Sequence, residues 1–245
     1  MKEKQGTTGG AGVGENITAE NAAWSFKGNV AQSFTSHVRR SVPFYDEGHD
    51  LICGISDFFV RDGSVCYDLG TSTAALLKNL AARHETKGAK FVGIDSEEDM
   101  VKQAAFELGS MKNVTLLVDD ICAFDYEPAD LIVAYYTFQF IPPKLRQDLM
   151  DRIFRALNWG GGFLMFEKVR GPDARFQDMM TALYTDYKLE QGYSGNEIVA
   201  KSRSLKNVLE PFSTQGNVDL LKRAGFVDVM SVMKYVCFEG FLAIK

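Results

Sequence analysis

The pattern of apolar and polar positions turns on two short runs, Val65-Cys66-Tyr67-Asp68-Leu69 and Phe91-Val92-Gly93-Ile94-Asp95. Apolar runs of this length, bounded by turn residues, read as strands buried on both faces. Residues 74–83 follow the first with a helical period, and 97–108 follow the second. Val114–Val118, 129–134 and 163–167 continue as strands, with a helix at 144–157 that opens after Pro142 and Pro143. Asn158-Trp159-Gly160-Gly161-Gly162 reads as the turn ending that helix. Strands alternating with helices predict a doubly wound, mostly parallel α/β sheet. Upstream, Ile17, Ala22, Trp24, Phe26, Val30, Phe34 and Val38 predict one or two helices, and 49–60 another. Downstream, two helical stretches (Ala174–Glu190 and 196–209) form an insertion after the fifth strand. A helix at 215–224 and an antiparallel pair, 226–233 with 235–244, close a seven-stranded sheet.

Strand, tight turn, helix and a second strand ending in a carboxylate make the nucleotide-binding half of such a sheet. A pyrophosphate fingerprint needs three glycines, because the backbone must approach two phosphates closely. Here Gly70 stands alone, followed by Thr71, Ser72, Thr73 and Ala74, and no Gly-Lys-Ser/Thr phosphate loop follows. An adenosine ligand without phosphates suits this turn, and S-adenosyl-L-methionine (SAM) is the usual one. Asp95 then accepts from the ribose hydroxyls. Asp120, past the third strand, accepts from the adenine amino group while Ile121 meets the ring. Tyr135 and Tyr136, past the fourth strand, face the crevice, where ligands of this fold bind. A purely structural turn and Asp is the alternative.

Length and composition narrow the setting. The 245 residues suffice for one domain, expected over 16–245, with a disordered Gly- and Thr-rich tail over 1–15. A formal charge of −5 argues against direct nucleic-acid binding, and no apolar run spans a membrane. Cys53, Cys66, Cys122 and Cys237 are widely spaced, which excludes a zinc cluster and points to reduced thiols in the cytoplasm. Residues 16–60 read as a helical lid, with Pro43 forcing the residue before it out of helix and Tyr45 and the Arg39–Arg40 pair as its polar members. Residues 170–210 read as a cap over a small-molecule substrate. His37 is the only histidine expected near the site, and it reads as structural.

Several blocks resemble a known family. They are Trp24-Ser25-Phe26, Arg40-Ser41-Val42-Pro43, Tyr67-Asp68-Leu69-Gly70, Thr137-Phe138-Gln139-Phe140, Leu157-Asn158 with Gly160-Gly161, Glu167-Lys168, Gly192-Tyr193-Ser194 and Asn207-Val208. In these the chain is similar to the carboxy-S-adenosylmethionine synthases, a branch of the class I methyltransferase superfamily with its Rossmann-like fold. The resemblance implies SAM bound by Tyr45, Gly70, Thr71, Ser72, Asp95, Ser96, Asp120 and Ile121. It implies prephenate as source of the added carboxylate, a product used in tRNA wobble-uridine modification, and a homodimer. Three positions depart from the family: Tyr135 stands for asparagine, Ala74 for glycine, and Ser202 for the arginine that grips the added carboxylate. Arg203 lies one residue later, about 100° round the helix.

Three functions remain open on the sequence. The first is a SAM-dependent methyltransferase acting on a small molecule, with Tyr136, Tyr193 or Arg203 touching the acceptor. The second is a carboxy-SAM synthase, with Arg203 or a lid arginine as the carboxylate grip. The third is a non-catalytic SAM-binding domain of a larger assembly.

Overall fold

A computed structural model describes residues 11–12, 18–26 and 30–245. The tail expected over 1–15, and part of the helical expectation over 16–38, lie outside these. The sheet comprises β1 (Val65–Leu69), β2 (Lys90–Asp95), β3 (Val114–Val118), β4 (Ala129–Tyr135), β5 (Leu157–Lys168), β6 (Asp228–Tyr235) and β7 (Phe238–Ile244). Their order is β3-β2-β1-β4-β5-β7-β6. The first five pair in parallel, and β7 runs antiparallel to both β5 and β6. This is the expected class I methyltransferase architecture. The order reverses between β1 and β4, which opens a crevice beyond their carboxyl ends.

The helices are α1 (Val30–Ser41), α2 (Tyr45–Ser56), α3 (Ala75–Arg83), α4 (Glu98–Leu108), α5 (Pro143–Ala156), α6 (Ala174–Glu190), α7 (Gly195–Ser204) and α8 (Thr214–Ala224). Alternate residues of one strand feed opposite cores, as the pleat requires. Leu131 and Val133 of β4 pack with Ile52 of α2 and Leu77 of α3. Ile132 and Ala134 pack with Leu149 and Ile153 of α5 and Leu220 of α8. Both sides of β4 are therefore dry, which is why its sequence is apolar without alternation.

Four boundaries differ from the sequence expectation. The helix expected over 49–60 begins earlier, at Tyr45, because Phe44 turns the chain in a left-handed conformation (φ 56°) and the α2 helix starts at once. The expected turn at 158–162 is instead the start of β5: Gly160 N–H donates to Lys245 O at 2.8 Å, and Gly162 pairs with Ile244. The stretch expected over 196–209 shortens to α7, opened by a Ser194–Glu197 capping box, and beyond it Asn207 adopts φ 61°. The closing pair is Asp228–Tyr235 with Phe238–Ile244, so residues 236–237 form the turn.

Candidate active site: a crevice with an acidic and a basic end

Beyond β1 the chain turns at Gly70 with φ 70°. A Cβ there would meet Thr137 Cγ2 at 2.6 Å, and the Thr137 hydroxyl donates to Leu69 O at 2.7 Å. Only glycine fits this conformation and this approach. Ser72 and Ala74 also take positive φ, 52° and 60°, a conformation that glycine adopts more readily than either.

The turn opens into a cavity of about 890 Å³, within the range of about 300–1,000 Å³ usual for ligand pockets. Every cofactor contact expected from sequence lines it: Tyr45, Gly70, Thr71, Ser72, Asp95, Ser96, Asp120, Ile121 and Tyr135. Asp95 is held from behind, accepting from Ser72 N–H at 2.8 Å and Glu97 N–H at 2.9 Å. One bond falls on each carboxylate oxygen, so each keeps acceptor capacity for a ribose hydroxyl. Tyr136 lines the cavity too, at φ 61°, and its buried hydroxyl has no hydrogen-bond partner among the described residues. Buried polar atoms without partners on a cavity wall fit a site awaiting a polar ligand.

Sequence reasoning missed His49. The expectation that His37 would be the only histidine here is corrected, because His49 on α2 also lines the cavity, its Nε2 without a partner among the described residues. It rings up with Tyr45 (4.6 Å between centroids) and Tyr135 (4.8 Å), while the Tyr135 hydroxyl donates to Tyr45 O at 2.7 Å. Gly48 makes this packing feasible, since a Cβ there would overlap the Tyr135 hydroxyl. His37 is packed as expected of a structural group: stacked on Trp24 at 5.7 Å, edge-on to Tyr193, and against Lys201 Nζ.

Two of the expected acceptor contacts lie elsewhere. Tyr193 is 4% exposed behind the cavity wall, its hydroxyl 3.1 Å from Ser41 Oγ and its ring under Arg40. Arg203 is exposed on α7 and is absent from the lining, whereas Ser202 faces the cavity. The helix phase thus turns the serine inward and the arginine outward. Arg203→Ala is expected to leave melting temperature and ligand affinities unchanged within error, measured by scanning calorimetry and titration.

The cationic groups of the site come from elements remote in sequence. Lys168 ends β5, Arg170 follows it, Lys188 sits on α6, Lys201 on α7 and Lys206 after it, and all line the cavity. Asp68, Asp95, Asp119 and Asp120 line it at the β1–β2–β3 side. One crevice therefore has an acidic and a basic end.

Buried titratable groups make the fold pH-sensitive. Burial holds His37 down to about 3 and His49 down to about 4. Burial also pushes the Asp68 carboxyl up to about 7 and Glu167 up to about 8. The histidines stay neutral in the fold, so they cost stability as pH falls below about 6.5. The carboxyls stay protonated in the fold, so their contribution is full below about pH 4 and is lost as pH rises toward about 8. The two slopes oppose each other up to about pH 6.5; above it the carboxyl slope runs on until Lys188, held down to about 8 by burial, begins to oppose it. Melting temperature is expected to fall between about pH 6.5 and 8, with Glu167→Gln flattening the fall. A rise across that interval in a buffer series contradicts this assignment.

Residues 66–161 match the family described as Methyltransferase domain. The chain is 39% identical over 225 residues to a carboxy-S-adenosyl-L-methionine synthase of Campylobacter jejuni, covering 91% of this chain and 94% of that one. It is 34% identical over 223 residues to the synthase of that name from Staphylococcus epidermidis, covering 91% and 97%. Among solved structures, human N-acetylserotonin methyltransferase in complex with SAM superposes with a TM-score of 0.59 at 19% identity, over 88% of this chain and 54% of that longer one. That likeness concerns the fold. With the crevice geometry, these findings set SAM as the cofactor, and the chain belongs to the carboxy-S-adenosyl-L-methionine synthase family of SAM-dependent transferases.

Proposed function

We propose that the protein carboxylates the sulfonium methyl of SAM, taking the carboxylate from a small anionic co-substrate, prephenate. The observation that carries this reading is the division of charge along one cavity. The acidic end suits a cationic nucleoside, and the basic end suits a polyanion. The relatives' names agree with it. Bound SAM would supply an acidic methyl C–H next to the sulfonium. The balance is closed: the methyl exchanges one proton for the ring carboxylate of prephenate, the ring loses hydroxide and becomes aromatic, and proton and hydroxide leave as water.

The chain's own groups have separable parts in this reading. Asp95 orients the ribose, and Asp120 with Ile121 meets the adenine. Tyr45, Tyr135 and Tyr136 of the cavity wall would offer aromatic surface to the sulfonium of bound SAM, favouring a cation and excluding water. The α1–α2 wall acts as a lid and α6–α7 as a cap. We further place the protein in the cytoplasm, consistent with four free cysteines, and expect a homodimer without direct nucleic-acid contact. No helix among the described residues is long and apolar enough to cross a membrane.

Methyl transfer to an anionic acceptor is the second reading, and Ser202 favours it, since the family's carboxylate-gripping arginine is missing from the cavity wall. Mass analysis of the small molecule that co-purifies separates the two. A carboxylated SAM supports the synthase. SAM or S-adenosylhomocysteine alone, unchanged after prephenate is added, supports the methyltransferase.

A further inference from the structure

Two ammonium groups in the basic wall have no carboxylate partner among the described residues. Lys168 is the last residue of β5, at the end of the strand where ligands of this fold bind. Lys188 lies one helical turn after Tyr184 on α6, so both side chains lie over the same face of the helix. The Tyr184 ring gathers them: Lys168 Nζ lies 4.2 Å from its centroid and Lys188 Nζ 4.5 Å. The ring itself is fixed, because its hydroxyl donates to Ser41 O at 2.8 Å. All three residues line the cavity. Among the described residues, no carboxylate forms an ion pair with either lysine.

Two like charges set on one aromatic ring are not neutralised by it; the ring's quadrupole only attracts them. Burial, and then the charge of Lys168, hold Lys188 down to about 8. Burial lowers Lys168 as well. A carboxylate in the cavity beside the ring offsets both penalties, and it has two oxygens to offer two ammoniums.

We propose that Lys168 and Lys188, gathered on Tyr184, form the subsite that takes a carboxylate of the anionic co-substrate, in place of the arginine that Ser202 replaces. The proposal rests on the synthase reading for the identity of that co-substrate. It does not rest on it for the existence of the site.

The test uses the full chain with SAM and prephenate. Lys168→Met and Lys188→Met keep the apolar stems and remove the charges. Each is expected to raise the KM for prephenate about tenfold or more, with the KM for SAM and the melting temperature little changed. Lys188→Arg restores the prephenate KM to within a few-fold of wild type. A prephenate KM unchanged in both methionine variants overturns the subsite. If wild type yields no carboxylated product, the synthase reading fails by itself. The subsite is then read by calorimetry, with prephenate titrated onto protein saturated with S-adenosylhomocysteine. Binding to wild type that is lost in both methionine variants upholds it. Equal binding to all three proteins, or no binding to wild type, overturns it.

Discussion

Asp95→Ala is expected to weaken SAM affinity about a hundredfold. The substitution removes two acceptors, each worth about 1.5 kcal/mol to a ribose hydroxyl as a charged hydrogen-bond partner, and about 3 kcal/mol corresponds to two decades in Kd. It also strips the Ser72 and Glu97 N–H groups of their acceptor, so the turn after Gly70 loses its anchor to β2. Asp95→Asn keeps the shape and one acceptor oxygen, and it should lose about tenfold. Titration of S-adenosylhomocysteine onto each variant measures both. Equal affinity for wild type and Asp95→Ala would remove Asp95 from the site and with it the orientation of the nucleoside.

Gly48→Ala is the substitution with the largest expected effect away from the nucleoside. The added methyl overlaps the Tyr135 hydroxyl, and the ring's other atoms leave little room, with Cζ at 3.1 Å and Cε2 at 3.2 Å. Overpacking of this kind costs about 1–3 kcal/mol. The ring cannot swing freely, because it meets Tyr45, His49, Tyr136 and Phe166 and is tied to Tyr45 O. A lower melting temperature and weaker SAM binding are therefore expected together, since the displaced group lines the cavity. Tyr135→Asn, which restores the residue the family resemblance expects, should relieve most of the loss in the double variant. The cycle of two single variants and the double then shows a coupling of about 1 kcal/mol or more. Additive effects would mean that Gly48 and Tyr135 do not share their space.

The nucleoside end was legible in the sequence because its signals are local. Gly70, the hydroxyl-rich turn and Asp95 sit within one strand–turn–helix–strand unit, and their geometry follows from backbone conformation and strand order. Asp120, Ile121 and Tyr135 follow from the same rule, the first two lying just past the carboxyl end of β3 and Tyr135 closing β4. The basic end was not legible, because Lys168, Lys188 and Lys206 come from β5, α6 and the segment after α7, and only tertiary packing brings them together. Helix phase explains Arg203: neighbouring residues on a helix point about 100° apart, so inward Ser202 requires outward Arg203. His49 escaped notice because the α2 helix begins at Tyr45 rather than at residue 49. Beginning there places Tyr45, Gly48 and His49, at i, i+3 and i+4, on one helix face toward Tyr135. The glycines of 158–162 misled in the opposite direction, since turn-forming residues here pair with the carboxyl end of β7.

The central claim is that one crevice holds SAM at its acidic end and delivers a carboxylate from its basic end. The most direct measurement incubates the protein with SAM and prephenate labelled with carbon-13 in the ring carboxyl, followed by mass spectrometry of every sulfonium product. The account predicts a SAM derivative heavier by one carboxyl unit and carrying the label, formed together with phenylpyruvate. Unlabelled SAM recovered intact, or a methylated acceptor with S-adenosylhomocysteine, would contradict it.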